Sequence, residues 1–167
     1  PIGYYGLTKY EGEKLVQSIM DNHFIVRISW VFGINGNNFI KTMLRLSETR
    51  NELNVVGDQI GSPTYTFDLA KLLVELVQSD KYGTYHATNE GFTSWAEFAK
   101  EIFKQAGKDV VVHPISTEEY PTRAVRPKNS RLSKQKLVEN GFKPLPSWQD
   151  ALSRYLVQLN QEVKSGE

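Results

Sequence analysis

Hydrophobic residues recur at two different periods in the first part of the chain. Across residues 5–21 they return every three or four positions among charged neighbours, which is the pattern of an amphipathic helix. Residues 24–32 form a nearly continuous apolar run rich in β-branched side chains, typical of a strand buried on both faces of a parallel sheet. Gly and Asn residues at 33–38 predict a loop at the carboxyl end of that strand, where open parallel sheets place their ligands. The order of helix and strand is that of a βαβ crossover without its first strand.

Helices and short strands continue to alternate along the remaining residues, which indicates the α/β class. We expect helices at residues 39–48, 65–79, 133–139 and 147–161, another helix starting after Ser94, and short strands at 54–57, 83–89 and 110–112. Ser94 and Glu97 have the spacing of a capping box, which favours a helix start at that point. Trp95 and Trp148 lie at helical spacing from other apolar residues, so we expect both in the core.

Composition narrows the kind of protein. Of the 167 residues, 40% are hydrophobic and 23% charged, the formal net charge is +1 and there is no cysteine, as in a soluble globular protein without disulfides. No apolar stretch approaches the roughly 20 residues of a membrane span. The opening residues have the pattern of a polar helix rather than of a secretory signal. Because there is no strongly basic domain, nucleic acid is not an expected partner. We expect a cytoplasmic protein that acts on small molecules.

A phenol and an ammonium group lie close together at the start of the first predicted helix. Tyr5 and Lys9 are four residues apart, which places both side chains on one helix face. A phenol with a pKa of about 10 is a poor acid at neutral pH, but a neighbouring cation stabilises the phenolate. The pair can therefore act together on one substrate. On this motif alone, an exposed amphipathic pair without chemistry is the more common explanation.

Further motifs make the pattern specific. They are Glu11-Gly-Glu13, Arg27-Ile-Ser-Trp-Val-Phe-Gly33, Asn38-Phe39, Asp58-Gln-Ile-Gly-Ser-Pro-Thr64 and Arg126-Pro-Lys-Asn-Ser-Arg-Leu132. Together with Tyr5 and Lys9, they resemble the carboxyl-terminal part of the dTDP-4-dehydrorhamnose reductase family, which consists of extended short-chain dehydrogenase/reductases. The resemblance covers nearly the whole chain. It implies the second half of a Rossmann-type doubly wound parallel sheet, with a small α/β substrate-binding lobe formed mainly by residues 33–65 and 108–146.

The resemblance also implies a reaction. NADPH would give hydride to the C4 ketone of dTDP-4-dehydro-β-L-rhamnose and form dTDP-β-L-rhamnose, a step of nucleotide-sugar and cell-surface polysaccharide biosynthesis. Tyr5 would protonate the developing alkoxide as general acid. Tyr5 and Lys9 would both contact the cofactor, and Lys9 would bind the nicotinamide ribose and lower the phenol pKa. Trp30, Asn38 and Arg126 would bind the sugar nucleotide, although Trp30 could instead be a core residue that closes the strand end.

Two parts of such an enzyme are not recognisable in this sequence. The first is the Gly-rich turn that seats the dinucleotide pyrophosphate, and the second is a Ser or Thr that holds the substrate carbonyl beside the catalytic Tyr. Gly33-Ile-Asn-Gly36 lacks the third Gly and the acidic partner of that turn. We therefore expect a truncated or partial enzyme that lacks the amino-terminal dinucleotide-binding half and is inactive alone. The missing half would decide between NADPH and NADH.

Several alternatives stay open at this point. The shared Tyr-Lys chemistry also suits a nucleotide-sugar epimerase or dehydratase, and the regulatory subunit of methionine adenosyltransferase resembles these reductases without catalysing their reaction. Six basic residues could receive a diphosphate or could form a solvated loop: Arg123, Arg126, Lys128, Arg131, Lys134 and Lys136. His23, His86 and His113 are far apart in sequence and predict no metal site. The sequence leaves a homodimer and a role for Mg²⁺ undecided.

Overall fold

The structure is a computed structural model that describes residues 2–122 and 124–165, with side chains up to residue 162. Its elements, in chain order, are α1 (Tyr4–Ile19), β1 (Phe24–Arg27), β2 (Val31–Phe32), α2 (Phe39–Leu46), β3 (Glu52–Val56), β4 (Ile60–Gly61), β5 (Thr64–Tyr65), α3 (Thr66–Val77), β6 (Gly83–His86), β7 (Thr93–Ser94), α4 (Trp95–Gln105), β8 (Val111–Ile115), α5 (Gln135–Glu139) and α6 (Trp148–Ser165). The predicted α/β alternation is confirmed.

Most of the strand pairing is parallel, as the sequence predicts. β1 pairs with β6, β2 with β5, and β3 with β8, all in parallel. The short strands β4 and β7 form an antiparallel pair in which Ile60 lies opposite Ser94 and Gly61 opposite Thr93. Parallel pairs need crossover connections, and helices supply them in this chain.

The single strand predicted at residues 24–32 is wrong, because the chain breaks at residues 28–30 into β1 and β2. Trp30 has a backbone φ of +47°, which no strand residue adopts. The break has specific partners, since Thr64 donates its backbone N–H to the Trp30 carbonyl (3.1 Å) and its hydroxyl to the Ser29 carbonyl (2.6 Å). Beyond the break, β2 pairs with β5 instead of extending the β1–β6 pair. The predicted burial on both faces is also wrong for β1, which is only half-buried.

α1 has the predicted amphipathic sequence, but its apolar face is uncovered in the described residues. None of its residues is buried, and Leu15 and Ile19 are 61% and 77% exposed. The helix is attached to β1 by a bidentate pair, in which Arg27 donates from its guanidinium to both carboxylate oxygens of Glu13. This contact lowers the pKa of Glu13. α1 is therefore held by polar contacts on one side and is free on the other.

Two hydrophobic clusters form the core. The larger brings α2, β3, α4, β8 and α6 together around Phe32, Phe98 and Tyr155. The smaller joins α3 and β6 to Leu137 and Leu145. Trp148 lies in the larger cluster as predicted. The predicted lobe boundaries at 33–65 and 108–146 stay a prediction.

Side-chain caps start two of the helices that border the larger cluster. At α4 the predicted cap is confirmed, because the Ser94 hydroxyl accepts the backbone N–H of Glu97 at 3.1 Å. At α2, the side-chain oxygen of Asn38 accepts the N–H of Lys41 at 3.0 Å. Among the described residues, no helix is both long and apolar enough to cross a membrane.

Candidate functional site

Tyr5 and Lys9 lie on one face in the first turns of α1, as their spacing predicts. The Lys9 ammonium is 5.5 Å from the centre of the Tyr5 ring. Tyr5 is 76% exposed. Within the described part of the chain, neither the Tyr5 hydroxyl nor the Lys9 ammonium has a hydrogen-bond or ion-pair partner. The ammonium can donate to the hydroxyl groups of a ribose, and the phenol can donate to a carbonyl oxygen. This pair of donors therefore suits a nicotinamide nucleotide and a carbonyl substrate.

The segment that carries Arg126 passes beside the start of α1. A Cβ atom built on Gly3 would lie 4.0 Å from the carbonyl oxygen of Val125. Arg126 is exposed, and its guanidinium has no ion pair with any described residue. The backbone next to Arg126 therefore lies close to the helix end that carries Tyr5.

Arg126 also lines an open cleft of about 850 Å³ between α2, the β3–β8 pair and the residues after β8. Phe39 and Trp95 form an aromatic wall of this cleft, with ring centres 4.7 Å apart. Val55 and Ile115 line it from the two parallel strands. An apolar cleft with a few charged groups at its edge is the usual form of a small-molecule site.

Trp30 lies against Trp95, one of the two aromatic residues in the cleft wall. The two indole rings stack with centres 3.7 Å apart and planes 14° apart. Both rings are half-buried and pack against the larger cluster from its edge. Trp95, which spacing alone assigned to the core, is thus a cleft residue. The sequence signal for this position is that Trp95 directly follows the helix cap Ser94, so its side chain lies at the end of the helix.

Asn38 is held by three hydrogen bonds of its side chain. Besides its bond to Lys41, its amide nitrogen donates to the Gly33 carbonyl and to the Tyr155 hydroxyl, both at 3.0 Å. It lines a second cavity of about 360 Å³ formed by the loop after β2. The amide thus fixes the shape of this loop, and its predicted contact with substrate stays a prediction.

The Asp58 carboxylate connects the residues after β3 to the residues that follow β8. Asp58 accepts the backbone N–H and the hydroxyl of Thr117 at 3.0 and 2.6 Å, and its other oxygen is 2.9 Å from the Lys128 ammonium. The Thr117 hydroxyl, followed by Lys128, lowers the pKa of Asp58 to about 2. Lys128 is further paired with Glu118 at 2.9 Å. Asp58 begins the Asp58–Thr64 motif, but no local sequence pattern identifies Thr117 or Lys128 as its partners.

The predicted basic stretch is therefore not one uniform anion site. Lys128 is neutralised by two carboxylates, and Lys134 lies 3.5 Å from Glu90 with little exposure. Arg131 donates to the side chain of Asn129. Arg123 lies outside the described residues. Of the basic side chains that the structure describes in this stretch, Arg126 lines the cleft.

The described residues contain no cluster of three or more His, Asp or Glu side chains arranged to hold a metal ion. His86 is half-buried, and burial lowers its pKa. His113 lies 3.2 Å from Glu52 at the cleft and is exposed.

The fold and the cleft define an α/β protein with an open cleft beside a pair of parallel strands. The family described as "RmlD substrate binding domain" matches residues 1–161, and the chain belongs to this family. It is 44% identical to the spore coat polysaccharide biosynthesis protein SpsK of Bacillus subtilis over 156 residues, 93% of this chain and 54% of that protein.

Two solved structures agree closely in fold. One is a dTDP-4-dehydrorhamnose reductase from Bacillus anthracis in complex with NADP, with 49% identity and a TM-score of 0.89, covering 95% of this chain and 56% of that one. The other is a dTDP-4-dehydrorhamnose reductase from Clostridium acetobutylicum, with 43% identity and a TM-score of 0.93, covering 96% of this chain and 57% of that one. The predicted Rossmann-type class and the family resemblance are confirmed. The chain spans just over half the length of these relatives.

Proposed function

We propose that this chain carries the substrate cleft and the catalytic Tyr-Lys pair of an NADPH-dependent reductase that converts dTDP-4-dehydro-β-L-rhamnose into dTDP-β-L-rhamnose. The observation that carries the proposal is the position of Arg126. This unpaired cation lines the large cleft, and the carbonyl of its neighbour Val125 approaches the start of the helix that bears Tyr5 and Lys9. The names of the relatives, two of which are dTDP-4-dehydrorhamnose reductases, support the same substrate.

The cleft and the residues beside it offer a separate group to each part of a nucleotide sugar. The Arg126 guanidinium can pair with the diphosphate, for which its planar fork of donors is well suited. Trp30 offers an apolar ring surface to the C–H face of a deoxyhexose. Asn38 shapes the loop after β2, and we propose that the sugar lies against this loop.

The proton is supplied by α1. When bound, NADPH provides the hydride for the C4 carbonyl carbon. The Tyr5 hydroxyl donates its proton to the carbonyl oxygen as the alkoxide forms. The Lys9 ammonium stabilises the phenolate that remains and holds ribose hydroxyls through its free hydrogens. Both side chains are exposed on one helix face, which allows them to serve one reaction centre.

Two substitutions in the complete gene product test the division between substrate cleft and cofactor side. Arg126→Ala should raise the KM for the dTDP-sugar by about tenfold or more, as for a lost charge-assisted contact, and leave the KM for NADPH unchanged. Lys9→Met should weaken NADPH binding and lower kcat together. Arg45→Ala and Lys104→Met are the matched controls, since both cations are exposed and lie outside the cleft.

The assay follows NADPH oxidation on addition of dTDP-4-dehydro-β-L-rhamnose. Equal effects of Arg126→Ala and Lys9→Met on both KM values would contradict the proposed division. If the complete wild-type protein does not oxidise NADPH, the reductase assignment is wrong. Conversion of another nucleotide sugar without net oxidation would then favour an epimerase, and no turnover of any nucleotide sugar would favour a regulatory subunit.

A further inference from the structure

Trp30 has a backbone conformation that bulky residues rarely adopt. Its φ of +47° is in the left-handed region, and among the described residues other than glycine it alone has a positive φ. Such a conformation costs free energy and persists where the surroundings enforce it, most often at functional sites. The residue is only half-buried, so core packing alone does not account for this conformation.

Hydrogen bonds from residues 62–64 enforce the backbone of this kink. Thr64 donates its N–H to the Trp30 carbonyl and its hydroxyl to the Ser29 carbonyl, at 3.1 and 2.6 Å. The Ser29 hydroxyl donates in turn to the Ser62 carbonyl at 2.8 Å. The direction in which the indole leaves the backbone is therefore fixed.

Two other residues fix the ring itself. Trp95 stacks on it with ring centres 3.7 Å apart. Gly61 lies so close that a Cβ atom at this position would be 2.7 Å from Cε2 of Trp30, 2.9 Å from Cζ2 and 3.0 Å from Nε1. A side chain of any size at position 61 would displace the indole, because real contacts of Cβ are longer.

Trp95 and Gly61 are held together without any help from Trp30. The antiparallel pair β4–β7 sets Gly61 opposite Thr93 and Ile60 opposite Ser94. Ser94 caps α4, of which Trp95 is the first residue. The β4–β7 pair and the start of α4 therefore hold Trp95 and Gly61 on two sides of the Trp30 ring.

We propose that Trp95 and Gly61 are positioning residues that set the orientation of the Trp30 indole toward the sugar of the bound nucleotide sugar. The inference rests on the proposed function, in which Trp30 contacts the substrate. Three features act on this one ring. The hydrogen bonds of Thr64 hold the Trp30 backbone at its positive φ, Trp95 stacks on the ring, and Gly61 leaves space for it. Trp95 itself lines the large cleft, and the Trp30 indole lies directly against it.

Three substitutions in the complete gene product test the proposal. Gly61→Ala adds the displacing Cβ at a position whose own φ is compatible with alanine. Trp95→Leu removes the stacking ring, and Trp95→Phe retains an aromatic face. Gly12→Ala is the control for the first change, because a Cβ there meets nothing within 4 Å. Trp148→Phe is the control for the others, since this indole lies in the core away from the stack.

Binding of two probes separates positioning from general damage. We expect Gly61→Ala and Trp95→Leu to weaken binding of dTDP-rhamnose by about tenfold, whereas binding of dTDP, which lacks the sugar, stays unchanged. Trp95→Phe should recover part of the loss. The indole N–H resonance of Trp30, assigned with Trp30→Phe, should move in Gly61→Ala and Trp95→Leu and stay in place in both controls.

Equal weakening of dTDP and dTDP-rhamnose would overturn the proposal, because it would indicate general damage to the cleft. Unchanged dTDP-rhamnose binding despite a shifted Trp30 resonance would also overturn it. A Trp30 resonance that does not move in Trp95→Leu would overturn the proposal whatever the ligand binding shows. If the wild-type protein binds neither probe, the proposed function fails instead, and the resonance still decides whether Trp95 and Gly61 position the ring.

Discussion

Asp58 is a carboxylate whose ionisation is strongly changed by its surroundings. Its carboxylate accepts two hydrogen bonds from Thr117 and faces the Lys128 ammonium, and Glu118 is the other carboxylate on that ammonium. These contacts favour the charged form and lower the pKa of Asp58 to about 2. Because the pKa is depressed in the folded protein, the stabilisation that these contacts contribute is fully present above the ordinary aspartate pKa of about 4. This stabilisation is lost as the pH falls through about 2.

A titration of the Asp58 carboxyl by NMR tests this explanation. We expect Thr117→Val to raise the pKa of Asp58 toward its ordinary value, since the Thr117 hydroxyl is the largest cause of the shift. Lys128→Ala should raise it by less. A pKa that stays at about 2 in Thr117→Val would mean that the hydrogen bond is not the cause.

Asn38 combines a structural role with a predicted contact to substrate, and substitution can separate the two. Asn38→Ala removes the cap of α2 and the bonds to Gly33 and Tyr155. The free energy of unfolding should fall by about 2 kcal/mol, of which the cap accounts for about 1. Asn38→Asp keeps the capping oxygen and should cost less. Denaturant unfolding measures both changes.

Ser94→Ala is the matched control for Asn38, because Ser94 caps α4 through an equivalent bond to Glu97. It should cost about 1 kcal/mol. If Asn38 binds the sugar nucleotide, Asn38→Asp raises its KM and Ser94→Ala does not. A KM that is unaffected by Asn38→Asp would leave Asn38 as a cap and loop anchor alone.

Local sequence spacing predicted some of these residue positions well and others not at all. The common face of Tyr5 and Lys9 follows from the helix period alone, so the structure confirms it. The place of Trp95 depends on which strand lies beside β7, and no local pattern contains that information. The partners of Asp58 are 59 residues away in sequence for Thr117 and further for Lys128. Contacts at such separations are decided by the fold.

Among the elements, strand ends were harder to predict than helices. Residues 24–32 have continuous β propensity, but the donors that break the strand come from Thr64, outside that window. α1 was predicted by periodicity, yet its apolar face is uncovered in the described residues. Periodicity reports which face is apolar and does not report what covers it.

An ion pair between a buried carboxylate and a half-buried guanidinium attaches α6 to α3. Arg154 donates two hydrogen bonds to Asp68, at 2.8 and 2.7 Å, and Asn89 donates a third at 2.9 Å. Burial alone would raise the pKa of Asp68, but the bonds from Arg154 and Asn89 outweigh it and lower the pKa. Asp150, on the surface, is a second partner of Arg154.

Removal of the buried carboxylate should destabilise the protein far more than removal of the exposed one. We expect Asp68→Ala to lower the free energy of unfolding by about 2–4 kcal/mol at neutral pH, because Arg154 loses its buried partner. Asp150→Ala should cost about 0.5 kcal/mol. The effect of Asp68→Ala should shrink below a pH of about 4, where the unfolded chain already binds the proton. Equal losses for the two variants would contradict the explanation.

At the scale of the whole molecule, the chain matches just over half the length of its relatives. The described residues supply the Tyr-Lys pair, the cleft and the aromatic wall. The fold class was predictable because alternating helices and buried strands have few arrangements. Periodicity does not predict the substrate. The proposed substrate follows from the motifs and from the family to which the chain belongs.

We propose that Tyr5 is the proton donor of an NADPH-dependent reductase. Tyr5→Phe in the complete gene product removes one oxygen, which has no hydrogen-bond partner among the described residues. Tyr5 as a whole is 76% exposed. Folding should be unchanged. The neighbouring Tyr4, which is 82% exposed, provides the matched control Tyr4→Phe.

The decisive measurement is the rate of NADPH oxidation with saturating dTDP-4-dehydro-β-L-rhamnose. Wild type and Tyr4→Phe should turn over equally, whereas kcat of Tyr5→Phe should fall by a factor of about 10² to 10⁴, the usual contribution of a positioned general acid. Near-wild-type turnover by Tyr5→Phe would show that Tyr5 is not the proton donor.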